Sequence, residues 1–157
     1  MQQGRGVAFK GAYEMKYMFT PFTRIADYRG RSGRREYWMF QLLKVLCGVL
    51  VSLWLMFSGA IANAPLFSGD VIAQIIGNVT VLVTLLAYLL LFLPAELALT
   101  VRRWHDIGNS GWTIAVIIIF GMIPLIGFIA WIVNFAAMCW PGDKGANKYG
   151  PPPSSLD

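Results

Sequence analysis

The chain reads as an all-α, polytopic membrane helical bundle, with two long spans and a third apolar segment interrupted by proline and glycine. Three observations predict it. Of 157 residues, 57% are hydrophobic and only 13% charged, a poor mixture for a soluble domain of this length. The apolar residues are also contiguous: between Val45 and Leu99 the only formal charges are Asp70 and Glu96, and between Ile107 and Pro141 there are none. Helices of a soluble core need a polar face, so charge-free stretches of this length make lipid the expected solvent. Finally, Arg5, Lys10, Lys16, Arg24, Arg29, Arg31, Arg34 and Arg35 all precede the first apolar run, opposed only by Glu14, Asp27 and Glu36. That is the positive-inside pattern, and it predicts a cytoplasmic N-terminus beside anionic headgroups. Basic charge gathered at a membrane edge also speaks against a nucleic-acid partner.

The same pattern divides the chain into a basic and aromatic N-terminal segment (1–37), a membrane domain (38–140) and a Gly/Pro-rich tail (141–157). Residues 1–12 read as disordered. Residues 13–28 alternate aromatics with charge, too short and too polar to cross a bilayer, and suit a short interfacial helix broken by Pro21. The first span is expected over Trp38–Phe57, about 20 residues and about 30 Å of helix. Tyr37 and Trp38 stand at its cytoplasmic end, and Lys44 lies two turns inside, where it either snorkels to the interface or meets a partner. Tyr37, Gln41, Lys44, Gly48 and Ser52 share a face that reads as a helix-packing surface. Ser58–Asp70 has turn residues and neither Lys nor Arg, as expected of an outside loop.

The second span is expected over Ile72–Thr100, with Gly77, Thr80, Thr84, Ala87 and Ala98 on its packing side and Pro94 as a kink ahead of Glu96. Arg102–Gly111 reads as an inside loop. Trp112–Trp140 then runs about 29 residues without charge, about 43 Å as one straight helix. Two explanations compete: one kinked, tilted span, or two short helices joined at Met122–Gly127 that return the C-terminus to the cytoplasm. The hairpin would gather every polar motif on one side, although each half is short for a crossing. Gly127, Ala130, Asn134 and Ala137 give its second half a small-residue face either way.

Three polar motifs flank these segments: Tyr28-Arg29-Gly30-Arg31-Ser32-Gly33-Arg34-Arg35-Glu36-Tyr37-Trp38, then Arg102-Arg103-Trp104-His105-Asp106 continuing through Ser110-Gly111-Trp112, and finally Pro141-Gly142 with Asn147-Lys148-Tyr149-Gly150-Pro151. In this order, over roughly residues 17–153, they resemble the bacterial inner-membrane family called domain of unknown function 805. The resemblance implies a small multi-spanning protein of the bacterial inner membrane without an established activity. Trp104 stands where the family pattern leads one to expect an aliphatic residue, and the N-terminal extension of about 16 residues is unusual for it.

The first motif has the makings of a phosphate-facing turn, with glycines for tight geometry and Arg29, Arg31, Arg34 and Arg35 for planar recognition of phosphate or carboxylate. Its blander reading is a topology anchor. The second motif is either a helix end, with Arg102 and Arg103 complementing the terminus and Asp106 or Asn109 capping the next segment, or a functional pair of His105 and Asp106 beside two cations. In the third, Asn147 and Tyr149 either dock the tail onto the arginine turns or leave it solvated.

One histidine without a second His or paired Cys argues against a metal site. No nucleophile elbow, Walker loop or dinucleotide fingerprint occurs, so neither catalytic residues nor cofactors are expected. The leading reading is therefore a non-enzymatic membrane module whose six arginines (Arg29, Arg31, Arg34, Arg35, Arg102, Arg103) bind anionic lipid or an acidic partner. Around them stands a polar cluster of Glu36, Tyr37, Lys44, Glu96, His105, Asp106, Asn147 and Tyr149, and association with a protein partner or a second copy remains open. The alternatives are a small transporter or channel subunit whose polar path uses Lys44, Glu96, His105 and Asn134, and an enzyme acting on lipid headgroups through His105.

Overall fold

The computed structural model describes residues 15–62 and 71–153. Among them are five helices and no named strand: α1 (15–23), α2 (Arg34–Ala62), α3 (Val71–Asp106), α4 (Trp112–Gly121) and α5 (Ile126–Cys139). The expectations for residues 1–12 and for most of the outside loop fall outside the described residues.

Both long helices outrun their sequence bounds. With 29 residues, α2 is about 43 Å long, and α3 with 36 residues about 54 Å, each more than the hydrocarbon thickness of about 30 Å. Helix α2 begins at Arg34 rather than Trp38 and continues past Ser58 to Ala62, so the expected start of the outside loop is helical. Helix α3 runs unbroken through Pro94 to Asp106, which makes Arg102–Asp106 its last turn and not a loop. Hydropathy marks where lipid begins, whereas a helix continues as long as its backbone bonds are made. The same correction applies to Pro21: α1 carries on to residue 23, because proline deletes one bond but the turn around it closes.

The described chain forms two compact units, one of Leu42–Leu93 and one built from the segments up to Gln41 and from Pro94 onward. In the first unit the side chains are mostly exposed and apolar, as befits a lipid-facing surface. Its less exposed positions form stripes, Lys44, Gly48, Val51 and Leu55 on α2 and Gly77, Thr80, Thr84 and Tyr88 on α3. The stripes meet where the Tyr88 hydroxyl donates to the Lys44 carbonyl at 2.9 Å over Gly48, whose missing side chain leaves room for the ring. Ser52 and Ala87 are exposed instead of packed. Helical pitch slowly rotates a four-residue series off any face, which is why the run predicted from Tyr37 drifts by Ser52.

In the second unit, residues 112–140 form two helices and not one kinked span. Helix α4 ends at Gly121, and α5 starts after a turn at Met122–Leu125. A β-carbon on Gly127 would sit 2.5 Å from the Gly121 carbonyl oxygen, so only glycine lets the two helices close here. Gly127, Ala130, Asn134 and Ala137 are half-buried among exposed neighbours, and Met138 is fully buried.

Candidate functional site

The interior of this second unit is charged. Arg102, Arg103 and Ser32 stand with Phe40, Leu99, Met138 and Pro21 among its fully buried side chains, and Arg31, Glu36, His105 and Asp106 are buried beside them. A buried guanidinium is tolerable only when its donors find acceptors. Arg31 and Arg103 do so with backbone as well as carboxylate, whereas Arg102 bonds a hydroxyl and two backbone carbonyls and its Nη2 makes no hydrogen bond among the described residues.

Asp106 is the hub. Its Oδ1 accepts from Arg31 Nε at 2.8 Å, and its Oδ2 pairs with Arg103 Nη1, the two arginines being 1% and 0% exposed and the carboxylate 5%. Arg103 lies three residues earlier on the same helix, the spacing at which side chains meet. Its other nitrogens reach the carbonyls of Met138 and Trp140, which are orphans of the α5 C-terminus. A cation there satisfies those oxygens and opposes the negative helix end. Arg103, paired with Asp106 on its own helix, therefore clamps the end of α3 to the end of α5 through those carbonyls.

Arg31 reaches into the tail. Its guanidinium donates to the carbonyls of Asp143, Gly145 (2.7 Å) and Gly150. The tail loop is closed by paired Asn147–Gly150 backbone bonds, and the Asn147 side-chain amide donates to the His105 carbonyl at 3.0 Å. The Asp143 amide donates to the Asp106 carbonyl at 2.9 Å. At Gly142 a β-carbon would lie 2.0 Å from Asp106 Oδ2, so the chain can pass the hub only as glycine.

Arg102 fixes the N-terminal segment. Nε donates to Ser32 Oγ at 2.9 Å, Nη1 to the carbonyls of Arg24 and Asp27, and Nη2 faces Glu36 at 3.7 Å. The Ser32 amide returns a bond to the Arg102 carbonyl at 3.2 Å. After the turn at Gly30, which has φ +78°, Arg31 and Ser32 are buried, and of the four arginines expected to face phosphate Arg31 is bonded inward instead.

His105 and Asp106 do not form the pair that a joint functional role would require. Both are helical, so adjacent side chains diverge. The His105 ring stacks on Tyr149 at 3.8 Å between centroids, with Nδ1 3.2 Å from the Gly30 carbonyl oxygen. Nor does Asp106 or Asn109 cap α4, whose N-cap is Gly111 without a side-chain bond. The tail alternative resolves toward docking: Asn147 and Tyr149 hold it against α3. Glu96 accepts from Gln41 at 2.7 Å. Tyr37 is buried against Trp38.

Of the six arginines singled out, Arg31, Arg102 and Arg103 are spent internally, while Arg29, Arg34 and Arg35 are exposed. Arg34 and Arg35 open α2 and line a cleft of about 560 Å³ with Gly33, Trp38, Cys139, Gly142 and Pro153, the buried Asp106 and the exposed Asp143. In the segment after α1, Arg24 and Asp27 form an ion pair at 2.8 Å, and Asp27 Oδ1 also accepts the Arg29 amide. Those two donors hold the Asp27 carboxyl below the usual carboxylate range.

Sequence reasoning missed Ser32, Gly142, Asp143 and the indole of Trp104, which donates to Asn134 Oδ1 at 3.2 Å and seats α5 on α3. Only Trp104 carried a signal, as the residue out of keeping with its aliphatic expectation.

Two long apolar helices, together with a unit whose buried interior pairs arginine with aspartate, define a helical membrane protein with an ordered polar unit. Residues 25–151 match the model of the family described as "Protein of unknown function (DUF805)", and the chain belongs to that family. It is similar to the inner membrane protein YhaI of Escherichia coli strain K12, with 29% identity over 140 residues covering 88% of this chain and 96% of the relative. It is also similar to the inner membrane protein YhaH of the same strain, with 31% identity over 126 residues covering 80% and 86%. The chain is thus an inner-membrane protein. No solved structure matches it.

Proposed function

We propose that the chain is a non-enzymatic inner-membrane module that holds the phosphate of an anionic lipid in the cleft at the start of α2, with its polar unit as a cap on the cytoplasmic side. The carrying observation is the division of the arginines. Arg31, Arg102 and Arg103 are buried in the polar unit, whereas Arg34 and Arg35 are exposed and line a cleft beside Trp38. A planar fork suits phosphate, and the positive end of a helix adds to its pull. Trp38 supplies an indole at the depth where headgroups meet hydrocarbon. Asp106 in the cleft lining does not oppose an anion strongly, because both its oxygens face arginines. The orientation follows from the cation-rich N-terminal segment and from the absence of Lys and Arg between Ser58 and Asp70. In this reading α2 and α3 are the two crossings.

Two features speak for this module over a polar transport path. His105 and Glu96 stand nine residues apart on α3, about 13 Å of helix, and each is bound to a different partner. Asn134 is engaged by Trp104.

The test is native mass spectrometry of the protein released from nanodiscs of mixed zwitterionic and anionic phospholipid. Retained anionic lipid should be lost in Arg34→Gln/Arg35→Gln and kept in Arg29→Gln. Equal retention in all three proteins, or capture of an acidic protein in place of lipid, would overturn the assignment.

A further inference from the structure

We infer that α4 and α5 form a re-entrant hairpin that enters and leaves one leaflet from the cap side without crossing the membrane. The occupant of its exposed apolar surface is then lipid hydrocarbon. At 10 and 14 residues the helices are about 15 and 21 Å long, which reaches the middle of a hydrocarbon layer of about 30 Å but not its far side.

Both ends of the hairpin are tied to one place. At its exit, Arg103 holds the Met138 and Trp140 carbonyls and the Asp106 carbonyl receives the Asp143 amide. Its entry follows Asp106 after only a short turn, where Gly108 takes φ +78° and bonds back to His105. Trp112 and Trp140 flank the two ends, 80% and 66% exposed, as indoles do at a membrane interface.

The tip is built for a place without water. Met122 and Leu125 are 82% and 78% exposed, a poor choice for an aqueous turn, where Gly, Asn or Asp would stand. In hydrocarbon every amide must find its acceptor inside the chain. Here four of the tip amides do so, those of Met122, Ile123, Ile126 and Gly127 donating to Ile119, Phe120, Pro124 and Ile123, and Pro124 has no amide to satisfy, which leaves Leu125 as the turn residue whose amide finds no backbone acceptor among the described residues. The Ile126 bond closes a γ-turn on Leu125 at φ 69°, the strained hand of that turn. A leucine held there places its side chain in the apolar medium while the backbone closes on itself.

Single cysteines at Met122, Leu125 and Lys148, in full-length protein with Cys47 and Cys139 replaced by serine, test this in sealed liposomes. Membrane-impermeant maleimide should label Lys148→Cys from the cap side and neither tip position from either side. A fluorophore placed at the tip before reconstitution should be quenched most strongly by lipids bearing nitroxide deep in the acyl chain. Labelling of the tip from the side opposite Lys148→Cys would show a crossing. Labelling from the cap side would place the hairpin in water, and disulfide formation between tips would make a second copy the occupant; each overturns the inference. Because the tip side chains are so exposed, Ile119→Cys, one turn away, serves as an independent probe with the same expected protection.

Discussion

The two units of the molecule invert each other. In Leu42–Leu93, Phe92 is the one described side chain below a tenth exposed, and leucine, valine and isoleucine cover the outside. In the unit built from the segments before and after it, arginine, aspartate and serine lie inside. The difference shows where specificity comes from when lipid is the solvent. Apolar side chains gain nothing by leaving lipid for one another, so the hydrophobic effect keeps these helices in the membrane without choosing their partners. Directional contacts choose, and they concentrate in the polar unit, where each buried guanidinium is bonded. The Arg31–Asp106–Arg103 set joins the N-terminal segment, α3, α5 and the tail through one carboxylate.

The largest expected effect therefore belongs to Asp106→Asn. It keeps the shape and leaves two buried guanidinium groups without their counter-charge, which costs about 3–5 kcal/mol when a buried pair is broken. Thermal unfolding in mild detergent should show it, with protease cleavage after Asp143 appearing at lower temperature. Gly142→Ala attacks the same carboxylate sterically and should cost about 1–3 kcal/mol as overpacking. Gly145→Ala, whose β-carbon meets nothing within 4 Å, is the control. If Asp106→Asn lost no more than an exposed pair does, about 1 kcal/mol, the contrast between the units would collapse.

Charge-free length showed where lipid must lie, so the helical class and both long apolar segments were legible. Their true ends were not, because Arg34–Tyr37 and Arg102–Asp106 look like loops until one sees what they bond. The break at Met122–Gly127 was legible from Gly121, Pro124 and Gly127, and the gathering of the polar motifs already favoured a hairpin; the Arg103 and Arg31 contacts show how its ends come together. Within the cap, Arg103–Asp106 has the spacing of a helical pair, and that much could be read in advance. Arg31–Asp106 could not, since 75 residues separate the two and nothing local distinguishes Arg31 from Arg29 or Arg34. The structure divides these arginines by burial, a property that arises only once α3 and the tail have closed over one of them.

A smaller effect is expected in the apolar unit. Tyr88→Phe removes the hydroxyl that donates to the Lys44 carbonyl while leaving the ring against Gly48. Polar contacts between membrane helices average about 0.6 kcal/mol, so unfolding should shift only slightly. A loss as large as that of Asp106→Asn would mean that the apolar unit depends on one directional bond as the cap does, and the comparison would have to be redrawn.

The smallest effect should come from Asp27, which separates burial from charge pairing within the polar unit itself. Its ion pair with Arg24 has the same partners in kind as Arg31–Asp106, yet the side chains are 36% and 44% exposed. The hydrogen bond from Arg24 and that from the Arg29 amide lower its folded pKa from the ordinary 3.8. A carboxylate with a lowered folded pKa contributes stability that is fully present above the unfolded value and is lost as pH falls through the folded one. The stability difference between the native chain and Asp27→Asn should thus be constant at neutral pH and shrink only below the ordinary carboxylate range. Added salt should shrink it as well, because solvent reaches the pair. The Asp106 penalty should not respond to salt, its charges being shut off from the ions that would screen them. A salt-insensitive Asp27, or an Asp106 penalty that salt removes, would show that exposure is not what separates the two pairs.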